Sequence, residues 1–175
     1  EILVALDCRV HVGTATMPTV LYNKILELLG GIENVYEVKL PNRILNTFNR
    51  HIVYKCETFK EVTPIIEDAF NQRKKLLIVC NQVKRSQEIY VKLRELYPDI
   101  PTMLIHSRFK RVRRQELENQ LKKVYNNTND ACIVVSTQVV EVSLDISFDI
   151  MITECAPIDA LIQRFGRIDR IGSKN

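Results

Sequence analysis

From about residue 50 onward, short β-rich apolar runs alternate with longer stretches in which apolar residues recur every three or four positions. That alternation is the mark of a parallel sheet wound by crossover helices. Ile52-Val53-Tyr54 reads as a first strand, and Val62, Ile65, Ile66, Ala69 and Phe70 then line one face of a helix. Leu76-Leu77-Ile78-Val79-Cys80 is a continuous apolar run of strand length, the form taken by a strand covered on both faces. A helix carrying Ile89, Leu93, Leu96 and Tyr97 on one side follows, and Pro98 stops it. Next come a strand at Thr102-Met103-Leu104-Ile105-His106, a helix that groups Leu117, Leu121, Val124 and Tyr125, and a polar loop at 126–130. Two more buried strands, Ala131–Val135 and Asp149–Thr153, precede a helix from about Ile158 that carries paired arginines.

The front is organised differently. Arg9–Pro18 reads as a strand and turn, and Leu21, Ile25, Leu28 and Leu29 mark a helix ended by Gly30-Gly31. Residues 1–35 are therefore expected to be the tail of a preceding domain, 36–50 a linker, and 51–175 the main α/β domain. In an open α/β sheet the loops at the carboxyl ends of the strands form the working edge. His106-Ser107-Arg108, Ser136-Thr137 and Glu154-Cys155-Ala156 all fall there.

With 46% hydrophobic and 26% charged residues over 175 positions, the chain is long and apolar enough for a good core, which argues against disorder. The net charge of +4 suits a polyanionic partner without requiring one. Five cysteines, Cys8, Cys56, Cys80, Cys132 and Cys155, are scattered without a CxxC pair. Neither a zinc cluster nor a disulfide framework is expected; three lie in apolar runs and read as small buried hydrophobes in a reducing compartment. No run approaches the length of a membrane span, and no signal pattern opens the chain, so a cytoplasmic protein is expected. Glu1, in place of Met, suggests a piece of a longer polypeptide.

Chemistry concentrates in two segments, Ser136-Thr137-Gln138-Val139-Val140-Glu141-Val142-Ser143-Leu144-Asp145 and Gln163-Arg164-Phe165-Gly166-Arg167-Ile168-Asp169-Arg170. Together they resemble motifs V and VI of superfamily 2 helicases, whose paired RecA-like domains close on ATP with nucleic acid lying across both. Gly13-Thr14-Ala15-Thr16-Met17-Pro18 resembles motif III at the end of the first domain, and Leu104–Phe109 resembles a motif that touches the nucleic-acid backbone. Within the superfamily, the runs Leu-Ile-His-Ser-Arg-Phe, Ser-Thr-Gln-Val-Val-Glu-x-Ser-Leu-Asp-Ile and Ala-Pro-Ile-Asp-Ala-Leu-Ile-Gln-Arg-x-Gly-Arg are most similar to the CRISPR-associated helicase-nucleases of type I interference systems.

The resemblance implies a RecA-like three-layer sandwich with a mainly parallel sheet and helices on both faces. It implies that Arg167 and Arg170 act as arginine fingers on the γ-phosphate, where catalysis is mostly positioning and charge neutralisation. On a helix their spacing would put both on one face, and Gly166 would leave room for phosphate or ribose. Gln163, Arg164, Asp145 and Glu141 would serve the ATP and interdomain surface. Each has a plainer alternative, such as a turn cap for Asp145 and solvated charge for Glu141 and Arg164. His106, Ser107, Arg108, Ser136, Thr137 and Gln138 would bind the strand's backbone, and Thr14, Ala15 and Thr16 would couple ATP closure to strand movement. The basic run Lys110–Arg114 opposes the helix dipole at a helix start, which suits a phosphate partner or simply a solvated face.

The implied cofactors are ATP and Mg²⁺, bound mainly by a first domain that is not in this sequence. No GxxxxGK[ST] loop or DExx box occurs, and the His-Asp nuclease centre of many family members is missing: His11, His51 and His106 are the only histidines. No metal site is expected in this chain. The implied partners are single-stranded DNA, the absent first RecA-like domain, a His-Asp nuclease domain fused or separate, and an RNA-guided surveillance complex. Alternatives are the second domain of another superfamily 2 motor and, from a different class, a non-catalytic RecA-like binding module.

Overall fold

The structure is a computed structural model and describes residues 2–14, 17–45, 51–141 and 144–170. Two compact units divide between residues 49 and 50. Among its described residues the first contains the α-helices α1 Ile2–Ala5, α2 Thr19–Leu28 and α3 Asn42–Leu45 and a 3₁₀ turn, Ile32–Asn34. Helix α2 ends where expected, because Gly30 (φ 83°) and Gly31 (φ 112°) take backbone conformations closed to most side chains. The strand expected over Arg9–Pro18 does not form among the described residues of that stretch. No ladder is formed by the described residues there, and a strand exists only through a ladder partner.

The second unit is built on four parallel strands, β1 Lys75–Val79, β2 Thr102–Ile105, β3 Cys132–Ser136 and β4 Ile150–Thr153, in the spatial order β2-β3-β1-β4. The register sets Leu77 opposite both Val134 and Met151, and Ile105 opposite Ser136. Because side chains alternate along a strand, β1 sends Leu76 and Ile78 to one face and Leu77 and Val79 to the other. The face of Leu76 is covered by α4 Phe59–Asn71 and α5 Val83–Leu96 through Val62, Ile66, Ile89 and Leu93. The face of Leu77 is covered by α6 Arg111–Gln120, with its π-helical extension Leu121–Tyr125, and by the segment between β3 and β4.

Local signals account for these boundaries. Thr58 and Glu61 form a capping box at the start of α4, and Arg73 (φ 54°) turns the chain out of that helix. Helix α7, Ile158–Phe165, closes the domain, and Ile168 beyond it bridges Phe148 in parallel.

Several expectations need correction. Ile52-Val53-Tyr54 is not a strand; it is exposed and outside any ladder, with His51 Nε2 just before it 2.9 Å from the Ile168 carbonyl. Leu96, Val124 and Ile65, assigned to apolar helix faces, are exposed, because each sits at the margin of a face whose centre fills the space above the sheet. Only Cys80 and Cys132 are buried thiols, pushed up to about 11 by burial, while Cys8, Cys56 and Cys155 are exposed. No helix among the described residues is long and apolar enough to cross a membrane.

Leu77 is fully buried at the centre of the sheet. Leu77→Ala is expected to cost about 2–5 kcal/mol of stability through lost transfer energy and an unfilled cavity. Urea unfolding measures this, and a loss below about 1 kcal/mol would show that the core is not closed around this position.

Candidate nucleotide and nucleic-acid interface

The carboxyl ends of the four strands bring Cys80-Asn81, His106, Thr137 and Glu154 to one edge. Pairing of Ile105 with Ser136 makes His106 and Thr137 the next residues along adjacent strands. Both are buried, and His106 Nδ1 and Thr137 Oγ1 have no hydrogen-bond partner. A buried hydroxyl without a partner costs about 1–3 kcal/mol, so such a pair at a strand edge asks for an explanation. The His106 ring stacks on Phe109 with centroids 4.2 Å apart, and its Nε2 lies 3.5 Å from Gln87 Nε2. Ser107 and Arg108 are exposed beside it, and Gln138 is exposed beside Thr137. Ser136 is buried, its hydroxyl donating to the Thr137 carbonyl at 3.1 Å.

Arg164 is 1% exposed, the largest fully buried side chain among the described residues. Its guanidinium donates through Nε to Glu141 Oε1 at 2.8 Å, through one terminal nitrogen to Thr153 Oγ1 at 2.7 Å and the Glu154 carbonyl at 3.1 Å, and through the other to Asn81 Oδ1 at 3.0 Å. Arg164 and Glu141, which the resemblance offers to a neighbouring domain, thus satisfy each other within this chain. Glu141 is largely buried in that pair and is not a solvated acid.

Arg167 and Arg170 do not share a helix face, since α7 ends at Phe165. They converge instead through the turn that follows, where Asp169 (φ 41°) reverses the backbone. Arg167 donates to the carbonyls of Val140, Leu144 and Glu141 at 2.8, 2.7 and 2.6 Å. Burial is the main cause that lowers its pKa, the Arg170 charge acts in the same direction, and Asp145 opposes both. Arg170 also reaches the Leu144 carbonyl, at 3.4 Å, and its Nε lies 3.2 Å from Asp145 Oδ1. Asp145 is 86% exposed, so that pair is worth at most about 1 kcal/mol. Both arginines therefore stand on the segment that descends from Thr137, not on a distant rim.

Gly166 has φ −61°, and a Cβ there would meet helix carbonyls no closer than 3.4 Å, so nothing within the fold demands glycine. Gln163 is half-buried on α7. Thr14 is exposed in the first unit, while Ala15 and Thr16, together with Val142 and Ser143, lie outside the described residues. In the basic run, Arg113 and Arg114 pair with Glu116 and Glu118 along α6, whereas Lys110 and Arg111 are exposed.

Sequence reasoning missed Asn81. Its N–H donates to Glu154 Oε2 at 2.6 Å and its Nδ2 to the Cys155 carbonyl at 2.7 Å, while its carbonyl accepts from Gln138 Nε2 at 3.1 Å. The available signal was its place just past the apolar run of β1, on the edge where loops carry function.

A RecA-like α/β sheet with motifs V and VI meeting on one crossover segment defines the second motor domain of a superfamily 2 helicase. The model of the family described as "CRISPR-associated nuclease/helicase Cas3, C-terminal" matches residues 72–173. The chain belongs to that family. It is 32% identical to a putative CRISPR-associated nuclease/helicase Cas3 of Methanocaldococcus jannaschii over 98% of its length and 24% of that relative. With the CRISPR-associated endonuclease/helicase Cas3 of Escherichia coli K12 it shares 39% identity over 58% of its length and 12% of the relative. The crystal structure of T. fusca Cas3-AMPPNP matches with a TM-score of 0.61 at 27% identity, over 66% of this chain and 14% of that one. The chain thus spans about a quarter or less of the relatives it matches.

Burial holds the His106 pKa below its ordinary value; the residue's own backbone acts in the opposite direction, and the nearby Arg108 charge adds to the lowering. A depressed folded pKa means that the unfolded chain binds the proton first, so His106 should lower stability as pH falls below about 6.5, until the folded pKa is passed. The melting temperature of His106→Gln should therefore drop less than that of the unsubstituted protein between pH 7.5 and 5.5. Equal drops would mean that the imidazole is already solvated.

Proposed function

We propose that this chain is the C-terminal motor domain of an ATP-dependent single-stranded DNA translocase acting in CRISPR interference, and that its motor activity requires a first RecA-like domain. The observation that carries the reading is that one crossover segment holds both halves of the apparatus. At its start lies Thr137, with a buried and unpartnered hydroxyl beside His106; further along, its carbonyls are gripped by Arg167 and its Asp145 by Arg170.

The strand's backbone runs along the carboxyl edge. Its phosphate oxygens take hydrogen bonds from the exposed Gln138, Ser107 and Arg108, and from Thr137 Oγ1 once strand contact opens the turn that buries it; these contacts position the strand and carry no base information. ATP hydrolysis supplies the drive, with the nucleotide and Mg²⁺ held mainly by the first domain. Arg167 and Arg170 neutralise charge on the triphosphate as the domains close. Glycine at 166, which the fold itself does not require, fits a surface that something approaches from outside. Gln163 faces the same interdomain surface, and Thr14, Ala15 and Thr16 link closure to strand movement from the first-domain side. A surveillance complex that exposes the strand and a His-Asp nuclease complete the system.

In the full-length protein, Arg167→Ala should lower strand-stimulated ATP hydrolysis by about 10³-fold or more, with ATP binding changed by only a few-fold. Turnover equal to that of the unsubstituted protein would remove the finger assignment. Thr137→Val deletes the orphaned hydroxyl while keeping its shape, so it should leave stability unchanged or raise it by up to about 1 kcal/mol. The same change should weaken single-stranded DNA binding measurably in a fluorescence titration. Unaltered affinity would sever Thr137 from the strand.

A further inference from the structure

Asn81 sits at the middle of the working edge, just past β1, with β3 on one side and β4 on the other. It is exposed, yet its backbone and side chain hold contacts to three separate segments: Gln138 after β3, Glu154 and Cys155 after β4, and Arg164 on α7. An exposed residue adds little to the hydrophobic core, so this set of contacts is a matter of geometry more than of burial. The amide side chain is well matched to the position. Its Oδ1 accepts from Arg164 while its Nδ2 donates to Cys155, a combination that aspartate cannot supply in full and serine cannot reach.

The contacts continue in both directions. Gln138 follows Thr137 and its buried unpartnered hydroxyl. Arg164 holds the Glu141 carboxylate, and the Glu141 carbonyl in turn accepts from Arg167 at 2.6 Å. A displacement of Gln138 thus pulls on the Asn81 carbonyl, and a shift of Asn81 changes the acceptor that orients Arg164. We propose that Asn81 is a positioning residue that couples strand contact at Thr137-Gln138 to the placement of Arg167 and Arg170. The proposal rests on the motor reading given above. It assigns no contact between Asn81 and either ligand.

The test uses the full-length protein and measures ATP hydrolysis with and without a single-stranded DNA oligonucleotide. Asn81→Ala should lower the strand-stimulated kcat by about tenfold to a hundredfold, the scale of a misplaced catalytic group, with the ATP KM held within about twofold. The ratio of stimulated to unstimulated turnover should fall with it, at temperatures where unfolding curves show the variant fully native. Asn81→Asp keeps the acceptor for Arg164 and should recover a large share of the stimulation. Gln138→Ala removes the donor to the Asn81 backbone carbonyl, which Asn81→Ala leaves in place; combined, the two should cause less than the product of their separate losses, as expected for residues on one chain of contacts.

A normal stimulation ratio in Asn81→Ala overturns the proposal, as does a defect that disappears wherever the variant is fully folded. If the unsubstituted protein itself shows no strand-stimulated hydrolysis, the motor reading fails and this coupling role fails with it.

Discussion

A guanidinium buried to 1% exposure survives only if its charge and its N–H groups are answered, and the arrangement around Arg164 follows from that requirement. The answer comes from separate parts of the chain: Glu141 from the crossover after β3, Thr153 and Glu154 from the end of β4, and Asn81 from the end of β1. A hydrophobic side chain at this place would bury as much area but would not specify where those segments stand. The directed bonds of Arg164 do, because its planar donors admit acceptors only in a fixed fork. The carboxyl edge of the sheet is therefore a set of loops registered to one cation, and the neighbouring motif VI arginines inherit their positions from it.

The sheet was legible in the sequence because β1 and β3 are covered on both faces, and such strands appear as unbroken apolar runs at 76–80 and 131–135. The covering helices α4, α5 and α6 were legible through their apolar spacing. Ile52-Val53-Tyr54 misled because β-branched and aromatic residues state a preference for extended backbone, not the existence of a neighbouring edge. The site was legible as two segments but not as a geometry. An arginine that will be buried is written with the same letter as one in water, so the pairing of Arg164 with Glu141 was invisible. Arg167 and Arg170 were placed on a helix that stops earlier; their convergence on the Leu144 carbonyl comes from the turn at 166–170. Asn81 carried no motif at all.

The crossover from β3 to β4 explains why motif VI must include cations that face backbone. The other parallel connections in this sheet run through helices, which satisfy their own carbonyls. Among its described residues this one contains a single 3₁₀ turn, Gln138–Val140, so the carbonyls of Val140, Glu141 and Leu144 need donors from outside the segment. Arg167 donates to all three, and Arg170 also reaches Leu144. In the proposed motor the same guanidinium must also serve a triphosphate, and the two demands compete for one set of N–H groups. Phosphate oxygens accept stronger, charge-assisted bonds than carbonyls do, whereas released carbonyls at a half-buried site recover part of their loss from water. In that motor, a triphosphate that draws Arg167 away would loosen the crossover, and its departure would let the three carbonyls be held again. Because that segment begins at Thr137, any such loosening acts directly on the residues proposed to hold the strand. In the proposed motor, competition for Arg167 would thus link nucleotide state to strand grip.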